Sequence, residues 1–375
     1  MFVESLKQER IISFIKREIV LSTAGLLAIV SSLFNLPKLE YINFKVLIVL
    51  FNLMIIISAF KESKILDFFA LKILSKCDNY KKIAFTLIFI TFFSSMLITN
   101  DVALLTFVPL TLILCKKLNK DPLILIVLQT IAANLGSSFT PLGNPQNLFL
   151  YNFYNYNIFD FFKITFPIFL ASLIFLIVLI MMLEKSNLNF ESEDIKIKNK
   201  KHVMYFSLLF ILVILSVMNI IDYKITFLLT LISAFFINKD FIKDVDYSLL
   251  LTFIFFFIFI GNLSSFDIIK NFMSSILNNF NNSFFASIFL SQIISNVPCA
   301  MLLSSFTNYS NALILGTNIG GLGTLIASMA SLISYKLYIQ QEDNSKEFLK
   351  VFTLYNVITL IFLILVTFLI MFSIH

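Results

Sequence analysis

A polar centre, Thr99-Asn100-Asp101, interrupts an apolar stretch at about residues 83–115, and Asp101 is the only acid in that stretch. A charged side chain at the centre of a bilayer costs roughly 2.5–3.5 kcal/mol on insertion scales, so such residues usually serve a function. Carboxylate and amide oxygens suit a hard cation such as Na⁺, and a carboxylate can also carry a proton. The alternative is that Asp101 caps the N-terminus of the next helix, a role that Asp favours. The two roles are compatible.

A second polar stretch, AANLGSSFTPLGNPQN at 132–147, contains four helix breakers: Gly136, Pro141, Gly143 and Pro145. Breaking a helix here exposes carbonyl groups that can bind a cation, and it leaves a helix N-terminus whose N–H groups suit an anion. The same stretch supplies short polar side chains at Asn134, Ser137, Ser138, Thr140, Asn144 and Asn147. A purely structural kink is the alternative, although a kink needs only one Pro or Gly.

Two later stretches resemble the first pair. Ser295-Asn296 stands at the centre of the apolar stretch 283–305 and precedes Pro298. GTNIGGLGTLIAS, residues 316–328, holds four of the eight glycines together with Thr317, Asn318 and Thr324. Close helix packing through small residues is the alternative reading, but the polar side chains favour a pocket wall. We interpret four further amides, Asn52, Gln129, Asn262 and Gln292, as packing or interhelical hydrogen-bond partners.

The composition shows which elements must position these residues. Of the 375 residues, 59% are hydrophobic and only 13% are charged, whereas an ordinary soluble domain has about 25% charged residues. The mean hydropathy is +0.93. We therefore predict an all-α polytopic membrane protein with the lipid bilayer as its surroundings. The N-terminus shows no cleavage site for a signal peptide. The formal charge of +6 comes from lysines between apolar runs, a pattern typical of membrane orientation, so we expect no nucleic-acid partner.

Nine apolar runs are read as full spans, and 83–115 and 283–305 as re-entrant hairpins whose polar tips lie inside the protein. The spans are approximately 19–36, 42–60, 121–151 with an interruption, 158–183, 203–220, 223–237, 247–263, 308–335 with an interruption, and 348–373. With this layout and a cytoplasmic N-terminus, 23 of the 28 Lys and Arg residues fall on the inside, as the positive-inside rule requires. The layout predicts the cytoplasmic (inner) membrane, with the C-terminus at His375 outside.

Segments 41–74 and 244–277 show an internal repeat. Each passes from a span into a short amphipathic stretch, and each is followed by a hairpin, an interrupted span and a final span. The loop charges give the two copies opposite orientations, the arrangement of many secondary transporters, with binding at the midplane. We predict one transmembrane domain over 1–375, with repeat 1 at about 19–184, a linker and extra span at about 185–220, and repeat 2 at about 221–375.

At these residues the chain resembles the ion transporter superfamily, which includes the divalent-anion/sodium symporters (citrate and dicarboxylate carriers) and the arsenite permeases. The resemblance covers roughly residues 19–373. Thr99-Asn100 and Ser295-Asn296 take the place of the symporters' hairpin-tip motifs, and Gly136–Asn147 and Gly316–Thr324 that of the two unwound loops. Asp101 stands where the symporters have a neutral Thr, and it is similar to the Asn-Asp of the arsenite permeases.

The resemblance implies two cation sites and a substrate site between them. We expect the cations at Asn100, Asp101, Asn134, Gly136 and Asn144, and at Asn296, Asn318 and Gly323. We expect the substrate at Thr99, Asn100, Ser137, Ser138, Thr140, Ser295, Asn296 and Thr317. Bound Na⁺ is the one cofactor-like ion expected, and a homodimer is allowed.

The predicted function is a secondary active transporter that moves a small anion, a carboxylate or oxyanion, coupled to Na⁺ or H⁺ by an elevator-like movement. Arsenite efflux or Na⁺/H⁺ antiport is the alternative within transport. A channel, or a membrane-embedded sensory or structural subunit, is the rival from another class. An enzyme is not expected, because the sequence has no phosphate-binding loop, no Ser/His/Asp set and no His-rich metal site.

Overall fold

The computed structural model describes residues 18–75, 77–184, 196–342 and 344–374. These residues form helices and no strands, which confirms the all-α prediction. The predictions for residues 1–17, for 185–195 and for His375 fall outside the described residues. The helices of the first half are α1 (Ile19–Ser32), α2 (Phe44–Glu62), α3 (Ile65–Leu74), α4 (Tyr80–Ile98), α5 (Asn100–Lys117), α6 (Leu123–Ser137), α7 (Pro145–Phe153) and α8 (Ile158–Met181).

The second half begins with α9 (Lys200–Val217), α10 (Tyr223–Ile237) and the short α11 (Asp240–Lys243). It continues with α12 (Tyr247–Ser264), α13 (Asp267–Ile276), α14 (Phe280–Ile294), α15 (Asn296–Ser304), α16 (Ser310–Gly320), α17 (Met329–Ile339) and α18 (Ser345–Ile374). Among the described residues, six helices are long and apolar enough to cross a membrane: α2, α4, α8, α9, α12 and α18 through Ile370. A multi-pass membrane protein follows from them.

Both predicted hairpins form. Helices α4 and α5 meet at Thr99, and α14 and α15 meet at Ser295; these pairs are the first and second hairpin. In the first hairpin, Lys120 just beyond α5 places Nζ 5.6 Å from the centre of the Tyr80 ring at the start of α4. In the second, the hydroxyls of Ser283 and Thr307 lie 3.0 Å apart. Each hairpin therefore returns to the face from which it starts.

The two interrupted spans are also broken where the sequence predicts. Helices α6 and α7, the first broken helix, are separated by residues 138–144. Helices α16 and α17, the second broken helix, are separated by residues 321–328. The breaks fall in the Gly- and Pro-rich stretches, since neither residue supports continued helix.

Loops predicted on one side of the membrane lie together. On the side predicted to be cytoplasmic, the Lys198 N–H donates to the Ser63 carbonyl at 3.0 Å, and Asn238 Nδ2 donates to Glu62 Oε2 at 3.2 Å. At the opposite end, Asn35 Nδ2 donates to Ser265 Oγ at 2.7 Å. The positive-inside assignment of these two faces stays a prediction.

The helices pack as two groups. One group, here called the scaffold, is formed by contacts of α1 with α12 and of α2 with α9 and α10. The other contains the hairpins, the broken helices, α8 and α18. Within it, α5 of the first hairpin packs on α17 of the second broken helix, and α15 packs on α7. The exchange is reciprocal, so each hairpin is held by the broken helix of the other half.

The four amides assigned to packing do form such contacts. Gln129 on α6 accepts from Thr111 Oγ1 at 2.8 Å and donates to Thr91 Oγ1 at 3.1 Å, which joins α6 to both arms of the first hairpin. Gln292 donates to the Gly320 carbonyl at 2.8 Å. In the scaffold, Asn52 donates to the Thr226 hydroxyl of α10. Asn262 donates to the hydroxyls of Ser31 and Ser32 on α1.

Candidate functional site

The two hairpin tips have the same backbone. Thr99 has φ 71° and ψ 153°, and Ser295 has φ 73° and ψ 154°. Positive φ is uncommon for residues with a side chain and costs of order 1–3 kcal/mol. It reverses the chain in one residue, so the second arm starts at once with Asn100 or Asn296 and each asparagine is placed at the turn.

Each tip is fixed to the adjacent unwound loop by one backbone hydrogen bond. The Asn100 N–H donates to the Gly143 carbonyl at 3.1 Å, and the Asn296 N–H donates to the Ala327 carbonyl at 2.9 Å. These N–H groups lie in the first turn of a helix and have no partner within it. The loop carbonyls satisfy them, so tip and loop form one polar centre in each half.

Glycines allow this close approach. A Cβ atom on Gly136 would lie 2.0 Å from the Phe92 carbonyl oxygen of α4, and one on Gly320 would lie 2.9 Å from Ser291 Oγ of α14. Such separations exclude any side chain unless the helices move apart. The two glycines occupy matching places, each two residues after an asparagine, Asn134 or Asn318.

In the first half, Asn134 is the centre of the side-chain contacts. Its Oδ1 accepts from Asn100 Nδ2 at 3.0 Å and from Ser328 Oγ at 3.0 Å. Its Nδ2 is buried and has no hydrogen-bond partner among the described residues. The neighbouring Asp101 also has a buried Oδ1 with no partner in this part of the chain. Both atoms are free to meet a bound ion or substrate group.

The first unwound loop is organised by Asn147. Its Nδ2 donates to the carbonyls of Ser137 at 3.1 Å, Ser138 at 3.4 Å and Thr140 at 3.3 Å. The hydroxyls of Ser137 and Ser138 donate to carbonyls of their own helix, at 2.9 and 2.6 Å, and Thr140 Oγ1 donates to Met96 O at 2.5 Å. The three predicted substrate hydroxyls can therefore offer only oxygen lone pairs to a ligand.

In the second half, Asn318 occupies the place of Asn134. Its Nδ2 donates to Asn147 Oδ1 at 2.8 Å, and its Oδ1 accepts from Gln146 Nε2 at 3.2 Å. Thr317 Oγ1 donates to the Leu313 carbonyl at 2.7 Å. Asn296 is 3% exposed and its Nδ2 faces Gly321, where a Cβ atom would lie 2.8 Å away.

Three predicted cation-site residues have other contacts. The Gly136 carbonyl accepts the N–H of Phe139 at 3.1 Å, and the Asn144 carbonyl accepts the N–H of Asn147 at 3.0 Å, since Asn144 is the N-cap of α7. Gly323, with φ 105°, lies beside Gln292, whose Oε1 would be 2.4 Å from an added Cβ. The role of Gly323 in a cation site stays a prediction.

Sequence reasoning missed two residues of the polar centre, Gln146 and Ser328. Gln146 is fully buried, and its Oε1 has no partner among the described residues. Ser328 is the N-cap of α17. Both lie at the start of the half-helix that follows a break, and that position is the signal that could have identified them.

A cavity of about 630 Å³ reaches the first tip from the face predicted to be cytoplasmic. Its inner wall includes Thr99, Asp101 and the N-terminal residues of both second half-helices, Pro145 and Met329. The scaffold wall carries Lys61, Glu62, Asp244 and Asp246. Among these described lining residues four are acids and one is a base, so the cavity attracts cations.

Two hairpins and two broken helices, with buried amides at their meeting point, define a multi-pass membrane transporter. The chain belongs to the citrate transporter family, whose model matches residues 10–310.

Similar proteins agree with that class. The chain is 42% identical over 325 residues to an uncharacterised transporter of Methanocaldococcus jannaschii, covering 84% of this chain and 86% of that protein. It is 27% identical to the inner membrane protein YbiR of Escherichia coli, over 79% of this chain and 80% of that protein. A transporter named arsB from Dictyostelium discoideum is 28% identical over 33% of this chain and 22% of its own length.

Proposed function

We propose that this transporter carries a small anion, a carboxylate or an oxyanion, across the cytoplasmic membrane and couples that movement to Na⁺ or H⁺. One observation carries the proposal: each half holds a buried asparagine at a hairpin tip, and the tip N–H is bonded to an unwound loop, at 3.1 Å for Asn100 and 2.9 Å for Asn296. Unwound carbonyls and amide oxygens at mid-depth suit coupling cations.

Helix N-termini support an anionic substrate. Pro145 and Met329, the first residues of α7 and α17, both line the cavity. The N-terminus of a helix carries about half a positive elementary charge and presents N–H groups without partners in the helix. The acids of the cavity repel a free anion. We therefore expect cation binding to precede anion binding.

The packing supports an elevator-like movement. The hairpins, broken helices, α8 and α18 contact one another across the two halves, so they can move as one unit against the scaffold. The cavity reaches the first tip from the predicted cytoplasmic face, which corresponds to an inward-open state. We extend the proposal to an inner-membrane location with the N-terminus inside and the C-terminus outside. The distribution of loop lysines and the similarity to YbiR support this extension. We also propose a homodimer.

Asp101 favours a second candidate, arsenite efflux or Na⁺/H⁺ exchange. Its carboxylate lies in the first site, and the cavity beside it is acidic. An exchanger needs a carboxylate that binds Na⁺ and H⁺ in turn. Resistance conferred on an arsenite-sensitive host, or on a sodium-sensitive one, distinguishes these activities from anion symport.

The test begins with thermal stability of the purified protein across carboxylates and oxyanions, each in NaCl and in choline chloride. A ligand that binds the folded state at 100 times its Kd stabilises it by about 2.7 kcal/mol. The stabilising anion is then used for uptake into proteoliposomes with and without a Na⁺ or H⁺ gradient. Uptake that is indifferent to both gradients rejects coupling, and would indicate a channel or a uniporter.

Matched variants link the activity to the site. Asn100→Ala and Asn296→Ala should each abolish gradient-driven uptake. Asn52→Ala and Asn262→Ala remove equally buried amides from the scaffold and should retain uptake. If the two tip variants fold and retain wild-type function, the protein uses its transporter fold for a sensory or structural role.

A further inference from the structure

The two broken helices are joined directly by buried side chains. Ser328 of the second half donates to Asn134 of the first at 3.0 Å. Asn318 of the second half donates to Asn147 of the first at 2.8 Å, and Gln146 donates back to Asn318 at 3.2 Å. All five residues are at most 7% exposed. Such bonds are strong in a low-dielectric interior and costly to leave unmade.

Asn147 links the first unwound loop to the second candidate cation site through one amide group. Its Nδ2 holds the carbonyls of the first unwound loop at 3.1–3.4 Å. Its Oδ1 accepts from Asn318, the candidate ligand of the second site. A cation that draws Asn318 toward itself must shift Asn147, and with it these carbonyls, which lie along the chain between Gly136 and Asn144 of the first candidate cation site.

At the position that matches Asn147, the second half has a serine in place of the amide. Counting from the two N-caps, Asn144 and Ser328, the residue that matches Asn147 is Ser331. The Ser331 hydroxyl is buried and has no partner among the described residues. At this position, therefore, the first half supplies a side chain that bonds to the other half and the second half does not. The two halves differ here although their backbones match.

We infer that Asn147, supported by Gln146, couples the two cation sites, so that two Na⁺ ions bind cooperatively. This inference rests on the proposed function, because it requires two cation sites. It assigns Asn147 a positioning role: the side chain acts through Asn318 and the loop carbonyls and need not contact an ion. Coupling between two sites is typically worth a 5–150-fold change in affinity.

The test is a Na⁺ titration of the full-length purified protein, followed by thermal stability, with choline chloride keeping the ionic strength constant. Wild-type protein should give a Hill coefficient of about 1.4–1.8, the range that coupling of this size gives two equal sites. Asn147→Ala should give a coefficient of about 1, with the half-saturating Na⁺ concentration raised by roughly 2–12-fold, the square root of the coupling factor. Gln146→Leu, which leaves Asn147 in place, should give an intermediate coefficient and decides the matter if Asn147→Ala does not fold.

Gln129→Leu is the matched control. It removes a fully buried amide with two side-chain partners, but those partners belong to the first half alone. It should lower stability while leaving the Hill coefficient unchanged. Wild-type cooperativity in Asn147→Ala or Gln146→Leu overturns the inference and leaves the proposed function intact. A wild-type protein that is indifferent to Na⁺ overturns the inference together with sodium coupling.

Discussion

Thr99 in the first hairpin and Ser295 in the second share nearly identical backbone angles, φ 71° and ψ 153° against φ 73° and ψ 154°. Each is followed by an asparagine bonded to an unwound loop. Two positions further on from Thr99 the first half has Asp101, whereas the second has Val297. The comparison teaches that the backbone builds two equivalent hairpin tips, and that side chains then give the two tips different chemistry.

The largest difference between the halves should be in the stability lost when a glycine at a helix crossing is replaced by alanine. Gly136→Ala places Cβ 2.0 Å from a backbone oxygen, whereas Gly320→Ala approaches no atom closer than 2.9 Å. Overpacking typically costs about 1–3 kcal/mol and occasionally more, so we expect at least about 3 kcal/mol for Gly136→Ala and about 1–2 kcal/mol for Gly320→Ala. Thermal unfolding in detergent measures both. Gly25→Ala, which meets only the Phe255 ring at 3.3 Å, is the control, and equal losses at all three glycines would contradict the prediction.

Asp101 should distinguish the sites in cation binding. Interactions with a charged group contribute about 1.5–3 kcal/mol, so Asp101→Asn should weaken Na⁺ or H⁺ dependence of uptake by roughly 10–150-fold. Val297→Asn at the other tip removes no charge and should change the Na⁺ or H⁺ dependence of uptake by less than about twofold. The measurement is the Na⁺ and pH dependence of uptake in proteoliposomes. If the two variants behave alike, the tips are chemically equivalent.

A smaller difference in stability is expected between variants of the two N-caps, Asn144 of α7 and Ser328 of α17. Ser328→Ala removes the bond to Asn134 and should cost about 1 kcal/mol. Asn144 makes no side-chain bond to its own helix turn, so Asn144→Ala should cost less than Ser328→Ala. Thermal midpoints of the two variants test this order, and the reverse order would show that Asn144 holds a partner through its side chain.

Ser331→Ala should have the smallest effect. The wild-type hydroxyl is buried without a partner among the described residues, and removing such a group is nearly neutral or stabilising by up to about 1 kcal/mol. Asn147→Ala at the matching position should instead destabilise. A clear loss of stability in Ser331→Ala would show that its hydroxyl binds a ligand or a water molecule.

Much of the fold could be predicted from the sequence, because a bilayer restricts which residues a membrane-spanning segment can contain. Runs of about 20 apolar residues, Gly and Pro clusters and isolated polar tips indicate where helices cross, break and turn. The hairpins, both breaks and the packing role of Gln129 are confirmed. The exact boundaries of the two repeats and the membership of the binding sites stay predictions.

The side-chain network could not be predicted, for a physical reason. Helix breakers show that a helix stops but not which neighbour fills the gap. Gly136 was assigned to a cation site, and its clearest structural role is close packing against Phe92. Gln146 and Ser328 lie at the start of half-helices, where their partners come from the other half of the chain. Contacts at that separation leave no local pattern in the sequence.

The reciprocal packing of the halves also constrains how the protein is made. Asn134 and its partner Ser328 are separated by 194 residues, which a ribosome adds in about 10–40 s at about 5–20 residues per second. During that interval α17, against which the first hairpin packs, has not yet been synthesised. If the first hairpin inserts before α17 is made, its carboxylate meets the bilayer without its final neighbours, and we expect an insertion partner or a water-filled recess to shelter it.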